Sequence, residues 1–368
     1  MLSKIFRIVV ILCVENFTSG SWVLVTGGTG YIGSHTCVEL IRAGENVVVV
    51  DNLSNSVKES LVRVIEITGC GKKQIKFRKV DLLEKAKLRN IFEEFEIESV
   101  IHLAGLKSVS ESHRTPLKYY ENNVGGTINL VEVMLEFGVK NLVFSSSATV
   151  YGTPTVLPLT ESCAAGESIA SPYGRTKFVI EGVLKDVQRS YPSFNVIVLR
   201  YFNPIGAHGS GKLGEDPNGV PNNLMPYISQ VAVGRQPYLN VYGNDYNTKD
   251  GTGVRDYLHV VDLAEGHILA VNKLRKSSVG FSVVNLGTGK GYTVFEILHK
   301  MEEVSGRNLP YQIKPRRPGD IDSLYADPSF AADFIGWTAK RGLDEMCEDT
   351  WRWQSKNPNG FAKDSKEK

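Results

Sequence analysis

The sequence predicts a doubly wound α/β protein: a parallel sheet clad in helices on both faces, followed by a smaller α+β lobe. Three observations carry that expectation. A strand, a glycine turn and a helix follow one another over residues 22–43, a second apolar strand ends on an acid at residue 51, and short β-rich runs then alternate with helical stretches as far as residue 200.

The first element is read from WVLVTGGTGYIG at 22–33. Trp22, Val23, Leu24 and Val25 make a run too brief for a helix, and Gly27, Gly28, Gly30 and Gly33 follow at once. A helix is expected from Tyr31, because Ile32, Thr36, Leu40 and Ala43 share roughly one face, and Gly44 stops it. Glycines let a backbone approach a pyrophosphate, and the unpaired amides at a helix start favour an anion. A glycine-rich turn alone is ordinary. Here NVVVVD follows at 46–51, and an acid closing the second strand accepts hydrogen bonds from both adenosine-ribose hydroxyls while repelling a phosphate there. The expectation is a Rossmann dinucleotide seat that takes NAD in preference to NADP.

Later strands are expected at 74–80, 99–105, 141–147 and 194–200, with helices near 57–68, 84–95, 113–137 and 172–190. Ligands of such a sheet sit beyond the carboxyl ends of its strands. The residues to watch are therefore Asp51, Asp81, the turn 104–107, Ser145, Ser146 and Ser147, and residues 201–204. After residue 201 glycine and proline become frequent and the periodic signals shorten, which suits a lobe of long loops over the sheet edge with the reaction cleft between. The expected division is a leader at 1–20, a dinucleotide-binding domain at 21–203, a mainly substrate-binding lobe at 204–356, partly interleaved with it, and a polar tail at 357–368.

Composition narrows the function. The 42 basic and 40 acidic residues give a net charge of +2 without long runs, so nucleic acid is not expected as a partner. The five cysteines, Cys13, Cys37, Cys70, Cys163 and Cys347, are scattered and odd in number, as expected of reduced thiols in a cytoplasmic protein. The seven histidines form no ligand-spaced cluster, so no metal is expected. In the leader, Lys4 and Arg7 precede an apolar run at 8–14, and Thr18, Ser19 and Gly20 follow. That outline fits a short secretory signal, but the run is too short to span a bilayer and the unpaired cysteines favour a leader on a cytoplasmic enzyme. No membrane partner is expected.

The reaction chemistry is read from SPYGRTK at 171–177. Pro172 sets the first turn of a helix, so Tyr173 and Lys177 lie one turn apart on the same face. A phenol, with an ordinary pKa of about 10, is too weak a base at neutral pH. A nearby ammonium and a cationic nicotinamide ring are expected to lower it, so that Tyr173 takes a hydroxyl proton while the carbon gives hydride to NAD. Ser147, closing the preceding strand, is placed to hydrogen-bond the same hydroxyl. Alone, a tyrosine and lysine at this spacing are an ordinary solvated helix face. Behind a dinucleotide seat they are a catalytic pair.

With TGGTGYIGSH, HLAGLKSV, NLVFSSSATVYG, SPYGRTK, LRYFNPIGAH, GEDPNGVPNNLMPY, VYGND, DGTGVRDYLHVVDLA, NLGTGKGYTV and RRPGD in order, residues 22–360 resemble the extended short-chain dehydrogenase/reductase family, in its UDP-sugar 4-epimerase branch. The resemblance implies that Tyr173 is the catalytic base, that Lys177 is its partner and holds the nicotinamide ribose, and that Ser147 is the third catalytic residue. Around NAD it implies Gly27, Gly30, Tyr31, Ile32, Asp51, Asn52, Asn55, Ser56, Asp81, Leu82, Leu103, Lys107, Asn122 and Tyr201. For a UDP-sugar it implies Asn203, Asn222, Asn223, Leu224, Asn240, Tyr242, Arg255, Arg317 and Asp320. Two guanidinium forks, Arg255 and Arg317, suit a diphosphate, although either arginine alone reads as a surface salt bridge.

The implied activity is interconversion of UDP-galactose and UDP-glucose, by a homodimer, through oxidation at carbon 4, rotation of the ketone and re-reduction. Two places depart from the family. The loop between Ser147 and Tyr173 is one residue longer, near CAAGESIAS. Leu324 stands where the family carries a bulky tyrosine or a small cysteine, from which turnover of UDP-N-acetylgalactosamine is expected as well. A nucleotide-sugar 4,6-dehydratase would need an Asp-Glu pair after the strand-end serine, and Ala148 and Thr149 stand there instead. A 4-epimerase of UDP-pentoses or UDP-uronic sugars shares all of these motifs. A non-catalytic NAD-binding protein would be expected to lack Tyr173 or Lys177.

Overall fold

The apolar run that opens the chain's periodic part becomes the centre of a seven-stranded sheet in the computed structural model, which describes residues 20–317 and 319–361. The leader and the end of the polar tail, with what was expected of them, lie outside the described residues. In chain order the first elements are β1 (Trp22–Thr26), α1 (Tyr31–Arg42), β2 (Asn46–Asp51), α2 (Glu59–Thr68), β3 (Ile75–Lys79), α3 (Lys85–Glu94) and β4 (Ile97–His102). Then come α4 (Val109–Arg114), α5 (Pro116–Tyr119), a π turn (Tyr120–Gly125), α6 (Gly126–Glu136), β5 (Asn141–Ser147), a 3-10 turn (Ala148–Tyr151), α7 (Pro172–Ser190) and β6 (Asn195–Tyr201). The remainder is β7 (Asn203–Ile205), α8 (Leu224–Ala232), β8 (Leu239–Tyr242), β9 (Val254–His259), α9 (Val260–Lys276), β10 (Phe281–Leu286), β11 (Gly291–Thr293), α10 (Val294–Ser305), β12 (Tyr311–Lys314), β13 (Ser323–Leu324), α11 (Ser329–Ile335) and α12 (Leu343–Lys356).

The large sheet runs β10-β6-β5-β4-β1-β2-β3, every neighbouring pair parallel. Because both faces are covered at the centre of the sheet, β1 and β2 are apolar almost throughout, whereas the edge strand β3 alternates Ile75 and Phe77 with Lys76, Arg78 and Lys79. Val23 and Val25 face a core shared with Val38 and Leu40 of α1 and Leu263 and Val271 of α9, while Leu24 faces Leu88 of α3, Leu130 of α6 and Leu184 of α7. Each such side chain, fully buried, contributes about 1.5–3 kcal/mol before entropy is counted. The parallel strand order reverses between β1 and β4, and the carboxyl ends on either side of that crossing form the cleft described below.

The chain returns to this sheet late: β10 lies beside β6 in register from Phe281↔Val196 to Leu286↔Tyr201. The second lobe is smaller. β11, β9 and β13 form one sheet, with β7 also on β9, and β12 pairs with β8. Its own core gathers Ile205, Met225, Ile228, Ile297, Met301 and Met346.

One expected helix is broken. The periodic stretch at 113–137 is divided, because Pro116 has no amide to continue α4 and starts α5 instead, and because the π turn then widens the backbone at Asn123. The other expected elements fall within a few residues of their observed bounds.

Candidate active site

The glycine turn after β1 is shaped by contacts that admit no side chain. Gly27 has φ +71, and a Cβ there would lie 2.7 Å from the amide nitrogen of Ala104. A Cβ on Gly33 would lie 2.2 Å from the Gly27 carbonyl oxygen, so the first turn of α1 rests directly on the loop. The turn is closed by Gly30 N–H donating to the Gly27 carbonyl at 3.1 Å. At the tip of β2, the buried carboxylate of Asp51 is held at both oxygens, accepting from Thr29 N (3.2 Å), Leu53 N (2.9 Å) and Ser56 Oγ (3.2 Å). Asn52 donates to Asp81 at 2.8 Å, tying the second strand end to the third.

One cleft runs over these strand ends. It is lined by Gly27, Gly30, Tyr31, Ile32, Asp51, Asn52, Asn55, Ser56, Asp81, Leu82, Leu103, Lys107 and Asn122, the residues expected to hold the cofactor apart from Tyr201. Tyr201 is buried just behind that lining: its phenol donates to Nε2 of His267 and accepts from the hydroxyl of Ser145, which lines the cleft. Opposite the glycine turn the wall is made by Gly214, Glu215, Asp216, Pro217 and Asn218 with Phe361. Lys107 Nζ meets Glu215 across the mouth at 2.8 Å, and Phe361 N–H donates to Asp216 at 2.9 Å. The sequence reading gave these wall residues no role, although GEDPNG was visible. The glycine cradle and the acid at the tip of β2 are chemically suited to a dinucleotide whose ribose hydroxyls are free.

Ser171 Oγ caps α7, accepting from Gly174 N at 3.1 Å, and Pro172 fills the first turn. The helix so placed carries Tyr173 and Lys177 to the end of β5. Lys177 is buried and its ammonium donates to the Ser145 carbonyl at 2.7 Å, 4.9 Å above the Phe144 ring. Burial lowers its pKa to about 8, with the carboxylate of Glu181 opposing. The Ser147 hydroxyl hydrogen-bonds the Tyr173 phenol. The expected lowering of that phenol by Lys177 is not found. Burial raises it above its ordinary value, and only the Ser147 hydrogen bond opposes. The ammonium is committed to the Ser145 carbonyl and does not figure among the groups acting on Tyr173.

Two residues hold the site in ways that the sequence did not suggest. Thr149 donates to Ser147 Oγ through both its amide (3.3 Å) and its hydroxyl (3.0 Å), which leaves Ser147 to direct its own hydrogen towards Tyr173. Asn123, brought inward by the π turn, accepts from Leu106 N at 2.8 Å and donates to the Leu106 carbonyl and to Thr176 Oγ1. It thereby fixes the turn 104–107 against α7. A side chain that closes such contacts carries no motif of its own.

On the second lobe, Asp320 gathers the two arginines: Arg317 donates at 2.7 and 3.1 Å, and Arg255 stands 3.7 Å away. The Arg317 guanidinium covers the ring of Tyr242 at 5.1 Å. Leu324 lies in register with Arg255 and is buried beside Ala148, Tyr151 and Phe202. Asn240 donates to Tyr227 while its buried carbonyl oxygen has no partner. Asn203 begins β7, and Asn222, Asn223 and Leu224 stand at the entrance of α8, with Asn223 reaching Glu215 at 3.5 Å. Among the described residues there is no cluster fit for a metal ion.

A dinucleotide cradle joined to a phenol, an ammonium and a strand-end hydroxyl defines an extended short-chain dehydrogenase/reductase. A family model described as GDP-mannose 4,6 dehydratase matches residues 24–350. UDP-glucose 4-epimerase of Bacillus subtilis (strain 168) is 57% identical over 339 residues, 92% of this chain and 98% of that protein. The Homo sapiens UDP-glucose 4-epimerase is 54% identical over 346 residues, with the same coverage. The crystal structure of UDP-glucose 4-epimerase from Bifidobacterium longum in complex with NAD+ and UDP superposes with a TM-score of 0.89 at 49% identity, covering 93% of this chain and 100% of the other. The chain belongs to the UDP-glucose 4-epimerases, a branch of the extended short-chain dehydrogenase/reductase family.

Proposed function

We propose that this protein interconverts UDP-galactose and UDP-glucose with NAD as its resident cofactor. The observation that carries the reading is the convergence of Tyr173, Lys177 and Ser147 on the end of β5, behind Ser145 and Gly105, which line the cleft of the glycine cradle. Gly27, Gly30, Tyr31 and Ile32 would receive the pyrophosphate, and Asp51 the adenosine ribose. NAD, when bound, supplies a reversible hydride store.

Tyr173 takes the proton from the hydroxyl at carbon 4 as that carbon becomes a ketone, and returns it when the carbon is reduced again. Ser147 orients the same oxygen, and Lys177, its ammonium held on the Ser145 carbonyl, would hold the nicotinamide ribose. Arg255 and Arg317 hold the diphosphate from the second lobe, so the sugar itself is loosely held and can present its other face. Net redox is zero, and the affinity must come from the nucleotide end. Ala148 and Thr149 offer no acid and base for dehydration, which separates this chain's chemistry from the name of the matching family model.

Purified protein incubated with UDP-galactose and no added reductant is expected to yield UDP-glucose. Tyr173→Phe abolishes the conversion and leaves NAD bound, and unchanged turnover in that variant dismisses the assigned base. Leu324 lacks a ring at the sugar end, so UDP-N-acetylgalactosamine is turned over as well; failure on that sugar alongside good activity on UDP-galactose removes the extension.

We further infer a homodimer formed through α4, α5 and α7, where Val109, Leu117 and Phe178 are exposed, Leu117 at 81%. A cytoplasmic setting is supported by the free thiols of Cys37, Cys70, Cys163 and Cys347. No helix among the described residues is long and apolar enough to cross a membrane.

A further inference from the structure

Three residues of α7 spaced one turn apart meet three consecutive residues of β5. Tyr173 meets the Ser147 hydroxyl, Lys177 the Ser145 carbonyl, and Glu181 the Ser146 hydroxyl at 2.5 Å. The first two are the proposed proton-transfer residues. Glu181 had no part in the sequence reading.

Its setting is costly enough to require a reason. The side chain is 6% exposed, and a carboxylate placed there must be paired. Arg200 of β6 pairs with it twice, Nε at 3.1 Å and Nη2 at 2.6 Å, and the guanidinium lies 4.6 Å over the ring of Tyr151. Tyr151 in turn donates to Asn285 of β10 at 2.7 Å. The carboxylate thus stands at the junction of α7, β5 and β6, anchored from the side away from the cleft.

The groups facing Lys177 are few. From β5 come the Ser145 carbonyl and the Phe144 ring, from β4 the imidazole of His102, which burial keeps neutral, from the turn 104–107 the backbone of Gly105, where a Cβ would lie 3.8 Å from the ammonium, and from α7 itself Glu181. Among the described residues, Glu181 is the anion that acts on the Lys177 ammonium.

We propose that Glu181 is a positioning residue for proton transfer: anchored by Ser146 and Arg200, it sets the register of α7 on β5 and serves as the buried counter-charge that keeps Lys177 an ammonium. The inference rests on the assignment of Tyr173 and Lys177 made above. It predicts that removing the charge displaces a pH profile, whereas loosening the helix alone lowers activity at every pH.

The test is the pH dependence of UDP-galactose conversion by Glu181→Gln. Because that variant leaves Arg200 buried and unpaired, Glu181→Gln combined with Arg200→Gln, which replaces the ion pair with an amide pair, is measured beside it. The alkaline limb of kcat is expected to move to lower pH by about one unit, so that kcat well above the limb falls about tenfold, with KM within about twofold of the parent. Glu181→Asp restores the parental limb. A folded variant whose limb coincides with the parent's overturns the proposal, whether or not kcat has fallen, and the double variant decides if the single one is insoluble. Tyr173→Phe is run in parallel. Turnover in that variant overturns the underlying assignment, while a parental profile in the Glu181 variants overturns only this inference.

Discussion

A serine hydroxyl can point its single hydrogen in several directions, and in this site Thr149 removes most of that freedom. Its amide and hydroxyl both donate to Ser147 Oγ, so Ser147 is left to donate towards Tyr173. Thr149→Val keeps the shape and the amide but loses the hydroxyl. The expected result is a kcat lower by about five- to tenfold with little change in KM, the loss of roughly one hydrogen bond's worth of orientation; an unaltered kcat means that Ser147 is oriented without it. Lys177 gives a second prediction at this scale. Burial holds its pKa at about 8, so the ammonium is present below that value and is lost as the pH rises through it. Activity that depends on the ammonium therefore declines above about pH 8, well before a lysine in water would titrate, and a kcat flat to about pH 10 contradicts the role. The Tyr–Lys spacing was legible in the sequence because it is local, one turn of one helix. The direction of the phenol's shift was not, since it depends on how deeply α7 is packed and on the carbonyl that the ammonium chose.

At the scale of elements, the strand, glycine turn and helix at the start of the fold were readable because every contact that shapes them is short in sequence. Gly33 shows how strict the arrangement is. A methyl group there would sit 2.2 Å from the Gly27 carbonyl oxygen and 2.6 Å from Gly28 Cα, both backbone atoms that cannot swing aside. Gly33→Ala is therefore expected to push α1 off the turn, at a cost of about 1–3 kcal/mol, and to sharply weaken NAD retention. Thermal unfolding and the cofactor content of the purified variant test this, and a variant that keeps full NAD content shows that the helix start can shift without harm. The π turn was illegible for the opposite reason. Nothing in YENNVG asks for a widened helix, and the turn is explained only by what Asn123 reaches, the backbone of Leu106 and the hydroxyl of Thr176, both distant in sequence. In the same way β10 reads as one more short apolar run until it is seen beside β6.

Across the whole molecule, what joins the sheet to its flanking elements includes a set of histidines that are buried and neutral. His35 donates from Nδ1 to the Tyr31 carbonyl, and its Nε2 is buried without a partner, so a proton added there would have nothing to bond. His102 lies between Thr26 and Thr127. The Thr127 hydroxyl gives its hydrogen to the Asn123 carbonyl at 2.6 Å, so His102 Nε2 must donate to Thr127 and Nδ1 must accept from Thr26. His267 donates from Nδ1 to Leu263 and accepts at Nε2 from Tyr201, which a second ring proton would break. Burial accordingly lowers His35 and His102 to about 3 and His267 to about 4. In the unfolded chain each titrates near 6.5, as does His208, which burial also lowers to about 4, so between about pH 6.5 and about pH 4 these four rings let the unfolded state bind up to four more protons than the folded one. The stability these rings contribute is complete above the unfolded value and is lost as the pH falls, at about 1.4 kcal/mol per pH unit for each ring. Denaturant unfolding from about pH 7 to about pH 5 is expected to show stability falling with the pH, the four histidines contributing a slope of up to about 5 kcal/mol per unit, against which the carboxyls of Glu39, Glu161 and Asp256, raised by burial, act. Replacing His267 with Gln, which cannot take up a proton, reduces that slope by about 1.4 kcal/mol per unit even though it costs stability at neutral pH. A stability that holds level across this range would mean that the rings find partners when charged, and the bonding assigned to Thr26, Thr127 and Tyr201 would have to be reversed.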